Sequence, residues 1–318
     1  MTRYIAHRLL LTIPVLFLVT VIVFTLVNLI PGDPALVMAG TEAGKEAVEA
    51  LRQQMGLDRP LAVRYGLWLG RLVRGDLGRS VRDRRPVLDV LLLKLPVTVE
   101  LAVIALAVAW AIAIPAGILA AWRRHSAIDY AATTVALAGI SIPNFWLGIM
   151  LIYLFAVNLR WLPPSGYIEP WLDPAGNIKR MILPATVLGT ALAALVMRLL
   201  RSSLLEVMGT EYIRTAHAKG LAERFVLLRH ALKNAMIPVV TVMGLQLGGL
   251  LGGAVITETI FAVPGVGRLA VESILTRDYP MVQGVVLFSA VAIVFVNFTV
   301  DVIYSLLDPR IRLVEEES

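Results

Sequence analysis

The sequence predicts an all-α polytopic membrane protein with six transmembrane helices and an extracytoplasmic helical segment between the first and the second. Three observations carry that reading: an apolar composition, six apolar stretches of spanning length, and helical periodicity in the one long segment that separates two of them. Of 318 residues, 58% are hydrophobic and 16% charged, and mean hydropathy is +0.78. A soluble domain needs about 25% charged residues to solvate its surface, so the missing charge corresponds to surface facing lipid. A soluble enzyme is excluded. With no cysteine there is no disulfide framework, thiolate metal site or cysteine nucleophile. The excess of 29 Lys and Arg over 23 Asp and Glu, a net charge of +6, marks loops lying near anionic membrane lipid, and a nucleic-acid partner is set aside.

A bilayer core about 30 Å thick takes about 20 apolar residues in a helix. Stretches of that kind occupy 9–30, 97–122, 130–157, 181–200, 237–257 and 282–306. Arg3 and Arg8 precede the first, as in a secretion signal. Its apolar core of about 22 residues exceeds the 7 to 15 of a signal, so 1–30 reads as an uncleaved anchor helix. An extracytoplasmic segment, 31–96, and a five-helix core, 97–318, with a cytoplasmic loop at 201–236, complete the organisation. The short connections set direction. With the N-terminus cytoplasmic, thirteen Lys and Arg fall on that side and five on the other, which puts both termini in the cytoplasm. Trp161, Tyr167 and Trp171 then lie in an outer loop at the interface. In the long outer segment, Val48, Leu51 and Met55 before Gly56, and Leu61, Tyr65, Trp68, Leu69 and Leu72 after Pro60, recur at helical spacing and predict two short amphipathic helices.

The span interiors carry essentially no ionisable side chain; Glu100, Asp129, Arg198 and Asp301 stand near span ends, within reach of the interface. A proton- or ion-coupled carrier with side-chain ion sites is therefore disfavoured, as is an intramembrane protease, which needs paired Asp, a serine elbow or an H-E-x-x-H helix. No catalytic residue and no metal ligand set is assigned: the four histidines, His7, His125, His217 and His230, are scattered. Pro14, Pro115 and Pro143 interrupt three spans. Gly244, Gly248 and Gly252 repeat at the small-xxx-small spacing that lets helices pack closely, either in a fixed or in a moving contact. Asn144, Gln246 and Asn297 are the strongly polar side chains deep in spans, and either bond between helices or line a translocation path.

The loop 201–236 is too long for a simple connector in a helical bundle. After Thr210 as cap, 211–218 reads as a short helix closed by Gly220 in the left-handed conformation. A second, basic helix follows over about 222–234 and ends before Pro238. Ala216 and Ala218 would let the first helix lie against another protein, with Arg214 and Lys219 reaching acidic groups there; the alternative is an amphipathic loop resting on anionic lipid.

At these residues the sequence resembles the inner-membrane permease subunits of ATP-binding cassette (ABC) importers for dipeptides, oligopeptides, glutathione or nickel. The resemblance covers nearly the whole chain: Pro31, Gly32, Asp33 and Pro34; Gly75, Asp76, Leu77 and Gly78; Leu95, Pro96, Val97 and Thr98; the stretches 212–221 and 234–240; Thr257 and Glu258; Pro264 to Gly267; Arg277, Asp278, Tyr279 and Pro280; and Asp308, Pro309, Arg310, Ile311 and Arg312. It implies a type I ABC importer permease fold. It also implies that the loop holds a coupling helix docked in the nucleotide-binding subunit, with Glu211, Tyr212, Arg214, Thr215, Ala216, Lys219, Gly220 and Leu221 as coupling residues. Where the general importer pattern has Glu-Ala-Ala, this chain has Arg214, Thr215 and Ala216, a departure similar to the peptide branch. The implied partners are a second homologous permease, two ATPase subunits and an extracytoplasmic solute-binding protein. The chain has no G-x-x-x-x-G-K-[ST] loop, so it is expected to bind no cofactor itself, with ATP and Mg on the partner subunits. Among substrates peptides are favoured; Glu42 and Ala43 with the run 52–58 look like glutathione and dipeptide members. A stand-alone secondary transporter or channel not driven by ATP is the alternative.

Overall fold

The computed structural model describes residues 2–29, 36, 44–54 and 56–307. The motifs at 31–34 and 308–312, with Glu42, Ala43 and Met55, lie outside the described residues. Helices form the regular structure there, with one isolated antiparallel bridge between Arg79 and Pro86. In chain order they are α1 (Thr2–Leu29), α2 (Lys45–Gln54), α3 (Leu61–Val73), α4 (Val87–Trp122), α5 (Ala127–Ser141) and α6 (Asn144–Leu151). Then come α7 (Pro174–Met208), α8 (Glu211–Ala218), α9 (Glu223–Phe225), α10 (Leu232–Gly253), α11 (Val255–Ile260), α12 (Val266–Leu275) and α13 (Tyr279–Leu307). Wider π-helical turns extend α6 over Ile152–Asn158 and join α9 to α10 over Val226–Ala231.

Among the described residues, five helical stretches are long and apolar enough to cross a membrane, and the third span expected from the sequence is instead a pair, α5 and α6, bent by 101°. Pro143 breaks it. A residue preceding proline is pushed out of the helical region, and Ile142 is extended at φ −77° and ψ 123°. Pro14 lies inside a continuous helix, and so does Pro115, which shows that the expectation of three interruptions holds at one. Other boundaries move as well. Asp173 caps α7 by accepting a hydrogen bond from the Gly176 N–H at 2.9 Å, so this helix starts well before 181 and runs 35 residues. The second arm of the loop does not stop before Pro238: it runs on through the π turns and α10, with Pro238 inside. Residues after 257, expected as loop, hold α12.

The chain divides into two compact units, one of 1–98 with 264–294, the other of 99–263 with 295–318. In the first, α3 lies on α1. Phe24 and Trp68 are buried with their ring centroids 5.5 Å apart, the Thr20 and Tyr65 hydroxyls are 2.8 Å apart, and Arg64 donates to the Asn28 side-chain oxygen at 2.6 Å. The helical spacing read after Pro60 thus marks a real inward face. In the same unit Asp278 is buried and gathers one loop: it accepts from the Ser80 hydroxyl at 2.5 Å, from the Val81 N–H at 3.1 Å and from the Met281 N–H at 3.3 Å. The second unit is built on the buried face of α7, where Ala193, Ala194, Val196, Met197, Leu200 and Leu204 pack against alanines of α4 and α5 and against α8 and α10. Helices approach closely at Gly189: a Cβ there would stand 2.7 Å from the Ala105 carbonyl oxygen and 2.9 Å from Val108.

Candidate functional site

α7 ends at Met208 and the chain turns back through α8 into α9 and α10, forming a hairpin. Thr210 takes the cap position of α8, but its hydroxyl donates to the Val207 carbonyl at 2.6 Å and caps nothing. The helix is held instead by burial. Ile213 and Ala216, one turn apart, are sealed in the cluster that contains Leu200, Leu204, Val226, Leu227 and Ala231. Ala216 therefore seats α8 on its own chain rather than offering a small surface to another, and of the two alanines only Ala218 faces outward. At the far end the Gly220 N–H donates to the His217 carbonyl at 2.9 Å and the Leu221 N–H to the Ala216 carbonyl at 3.4 Å. That closure needs a left-handed residue, and Gly220 has φ +76°.

Glu211, Tyr212, Arg214, Thr215, Lys219 and Leu221 are all exposed. Glu211 and Arg214 pair at 2.6 Å, and the Thr215 hydroxyl donates to the Glu211 carbonyl at 3.0 Å. Tyr212 spans the hairpin: the Asn234 amide donates to its hydroxyl at 2.7 Å, and that hydroxyl lies 3.4 Å from the His230 carbonyl. On the second arm Arg229 lies over the Phe225 ring at 5.8 Å. The result is a stub with one apolar face fixed inside the unit and one mixed basic and aromatic face left open.

Two family models match this sequence. Residues 113–313 match the binding-protein-dependent transport system inner membrane component, and residues 1–102 match the N-terminal part of such membrane components. The chain belongs to the binding-protein-dependent transport permease family. As such it is a multi-pass membrane protein and a permease subunit of the ABC importer type. The permease is 43% identical to the dipeptide transport system permease protein DppB of Alkalihalophilus pseudofirmus, over 98% of this chain and 100% of that one. It is 44% identical to the glutathione transport system permease protein GsiC of Escherichia coli O6:H1, over 98% and 99% of the two chains. Its fold is similar to a chain of the MetNI methionine ABC transporter in an inward-facing conformation, with a TM-score of 0.56 and 17% identity over 69% of the permease and 96% of that chain.

The remaining side chains singled out from the permease sequence are spread through the second unit. Asn144 opens α6 on an exposed surface. Gln246 is half-buried in α10, where its side-chain oxygen is enclosed without a hydrogen-bond partner. Asn297 belongs to α13, and its side-chain oxygen lies 3.4 Å from where a Cβ on Gly248 would sit. A Cβ on Gly244 would stand 2.5 Å from Val300, so this glycine permits the α10 and α13 backbones to approach. Gly252 is in the same helix, where the backbone alone is described.

Three features escaped the sequence. Asp129 is not free at an interface: it is buried, and Arg201 grips it through two bonds of 2.6 and 2.7 Å. Glu258 is fully buried beside the left-handed turn at Ala262. Tyr167 is half-buried and donates to Glu100 at 2.7 Å; burial, and then the adjacent carboxylate, raise its pKa above the ordinary phenol range. Trp161 and Trp171 remain exposed.

Proposed function

We propose that the chain is one permease half of an ATP-driven importer of small peptides, moved by ATPase subunits that dock on the hairpin of α8 and α9. One observation carries the reading. Ile213 and Ala216 bind α8 into the core of the second unit, while Glu211, Tyr212, Arg214, Thr215, Lys219 and Leu221 stay open on the other side. A force applied to the open face reaches α7 and α10 through packed side chains, because close-packed interiors transmit displacement. The names of the two relatives, one a dipeptide and one a glutathione transport permease, support peptides as cargo.

With no phosphate-binding G-x-x-x-x-G-K-[ST] loop in its sequence, the chain leaves ATP and Mg to two partner ATPases. A second, homologous permease forms the other half, and a solute-binding protein delivers peptide from outside. The hairpin and both termini face the cytoplasm, consistent with the thirteen-to-five charge count and with α5 and α6 serving together as one broken span. Asn144, Gln246 and Asn297 are the side chains offered to a peptide in transit.

The test is reconstitution of the chain with both ATPases, the second permease and the binding protein in proteoliposomes. Labelled dipeptide should accumulate only when ATP is present. With Gly220→Val the ATPases should still hydrolyse ATP while uptake falls. Uptake without ATP or without the ATPase subunits would overturn the proposal in favour of a stand-alone carrier or channel.

A further inference from the structure

We propose that the Asp129–Arg201 ion pair is a yoke that makes α5 move with the hairpin end of α7; this rests on the coupling role proposed above. Arg201 lies nine residues before Thr210 on α7, about 13 Å along the helix from the start of the hairpin. Its Nε donates to one Asp129 carboxylate oxygen at 2.6 Å and an Nη to the other at 2.7 Å, a two-point fork that fixes direction as well as distance. Asp129 is held from its own side too. It stands in the first turn of α5, its N–H reaches the Ser126 hydroxyl at 3.4 Å, and its carboxylate accepts the His125 N–H at 3.0 Å, where His125 is left-handed at φ +62°.

Among the described residues, no other ion pair or side-chain hydrogen bond joins α5 to α7. The apolar part of the contact includes small groups: Ala136 belongs to one buried cluster with Ala193 and Ala194, and a Cβ on Gly139 would stand 3.7 Å from the Ala194 methyl and 4.0 Å from the Thr190 carbonyl. Such a smooth seam allows close approach but sets little register. A buried ion pair adds little net stability over an apolar contact, yet it defines one relative position of two helices. α5 ends at the extended Ile142 and the Pro143 bend, beyond which Gly148 of α6 sits against the Phe261 ring and Val187 of α7. Displacement of the α7 end is thus handed to α5 at Asp129, and the break at Pro143 is where the paired helices can flex. Asp129 and Arg201 are positioning residues: neither is needed to touch peptide or nucleotide.

The experiment uses the complete reconstituted complex, with spin labels on Thr134→Cys in α5 and Ser202→Cys in α7, which a chain without native cysteine permits. In the otherwise unaltered protein, the label distance should be the same without nucleotide and with the ATPases trapped closed. Arg201→Lys keeps the charge and loses the fork. It should make that distance depend on nucleotide and lower peptide imported per ATP hydrolysed by about tenfold, with both ATPases still bound. If that variant does not assemble, Asp129→Asn is read in the same way. Pairing Asp129→Arg with Arg201→Asp should recover part of the lost ratio. A label distance and transport ratio unchanged in both single variants would overturn the yoke, as would equal loss of hydrolysis and uptake at an unchanged distance. Absence of ATP-dependent uptake in the unaltered complex would instead remove the coupling role and the yoke with it.

Discussion

Two ion pairs of the second unit share a length of 2.6 Å and little else. Glu211 and Arg214 stand three residues apart on the open face of α8, with side chains 82% and 69% exposed. Asp129 and Arg201 are 72 residues apart, and their side chains are 3% and 24% exposed. Equal geometry therefore means different chemistry. Water screens the first pair, so it breaks and re-forms at little cost and leaves both charges available to a partner. The second has exchanged solvent for its partner and for the His125 N–H, and removing either member strands the other. One pair lies in solvent and the other in the core, though both are built from a carboxylate and a guanidinium.

That contrast can be broken by substitution, read as thermal unfolding of the purified chain in detergent. The largest loss is expected for Arg201→Ala, about 3–5 kcal/mol, because a buried carboxylate is left uncompensated. Gly189→Val comes next, at about 1–3 kcal/mol, since the new Cβ would press on the Ala105 carbonyl and on Val108, which cannot both give way inside a packed contact. Gly220→Val should cost about 1–2 kcal/mol, through its positive φ alone, for the space around Gly220 is open. The smallest effect belongs to Glu211→Gln, below about 1 kcal/mol. A Glu211→Gln loss as large as that of Arg201→Ala would erase the distinction between the pairs. Substitution of Arg214 by Gln with the same small effect as Glu211→Gln would sharpen it.

The spans and the hairpin were legible because each depends on local signals: runs of apolar residues, and a glycine placed where a helix must close left-handed. The inward faces were not. α4 is apolar nearly all round, so periodicity carries no information on which side meets α7. Gly189 of α7 stands between Ala185 and Ala193 at the same small-xxx-small spacing as Gly244 and Gly248, but spacing does not say which helix such a stripe approaches. In α8 the signal is present in the spacing: Ile213 and Ala216 at i and i+3 mark a buried stripe, and a small side chain such as Ala216 suits a tight core contact as well as a surface one. Asp129 and Arg201 could not be joined in advance, because ion pairing across 72 residues leaves no trace in spacing. The α5 break at Pro143 was announced by the proline, but Pro14 and Pro115 announced as much and produced continuous helices. Only the backbone of the preceding residue tells these cases apart.

The first compact unit is assembled from 1–98 and 264–294, and its buried Ser80–Asp278 contact joins residues 198 positions apart. During translation, Ser80 must wait for Asp278. At about 5–20 residues per second that delay is roughly 10–40 seconds. Over that interval the turn around Ser80 lacks the carboxylate that accepts its hydroxyl and the Val81 N–H, so this buried contact forms only after the intervening helices have been made.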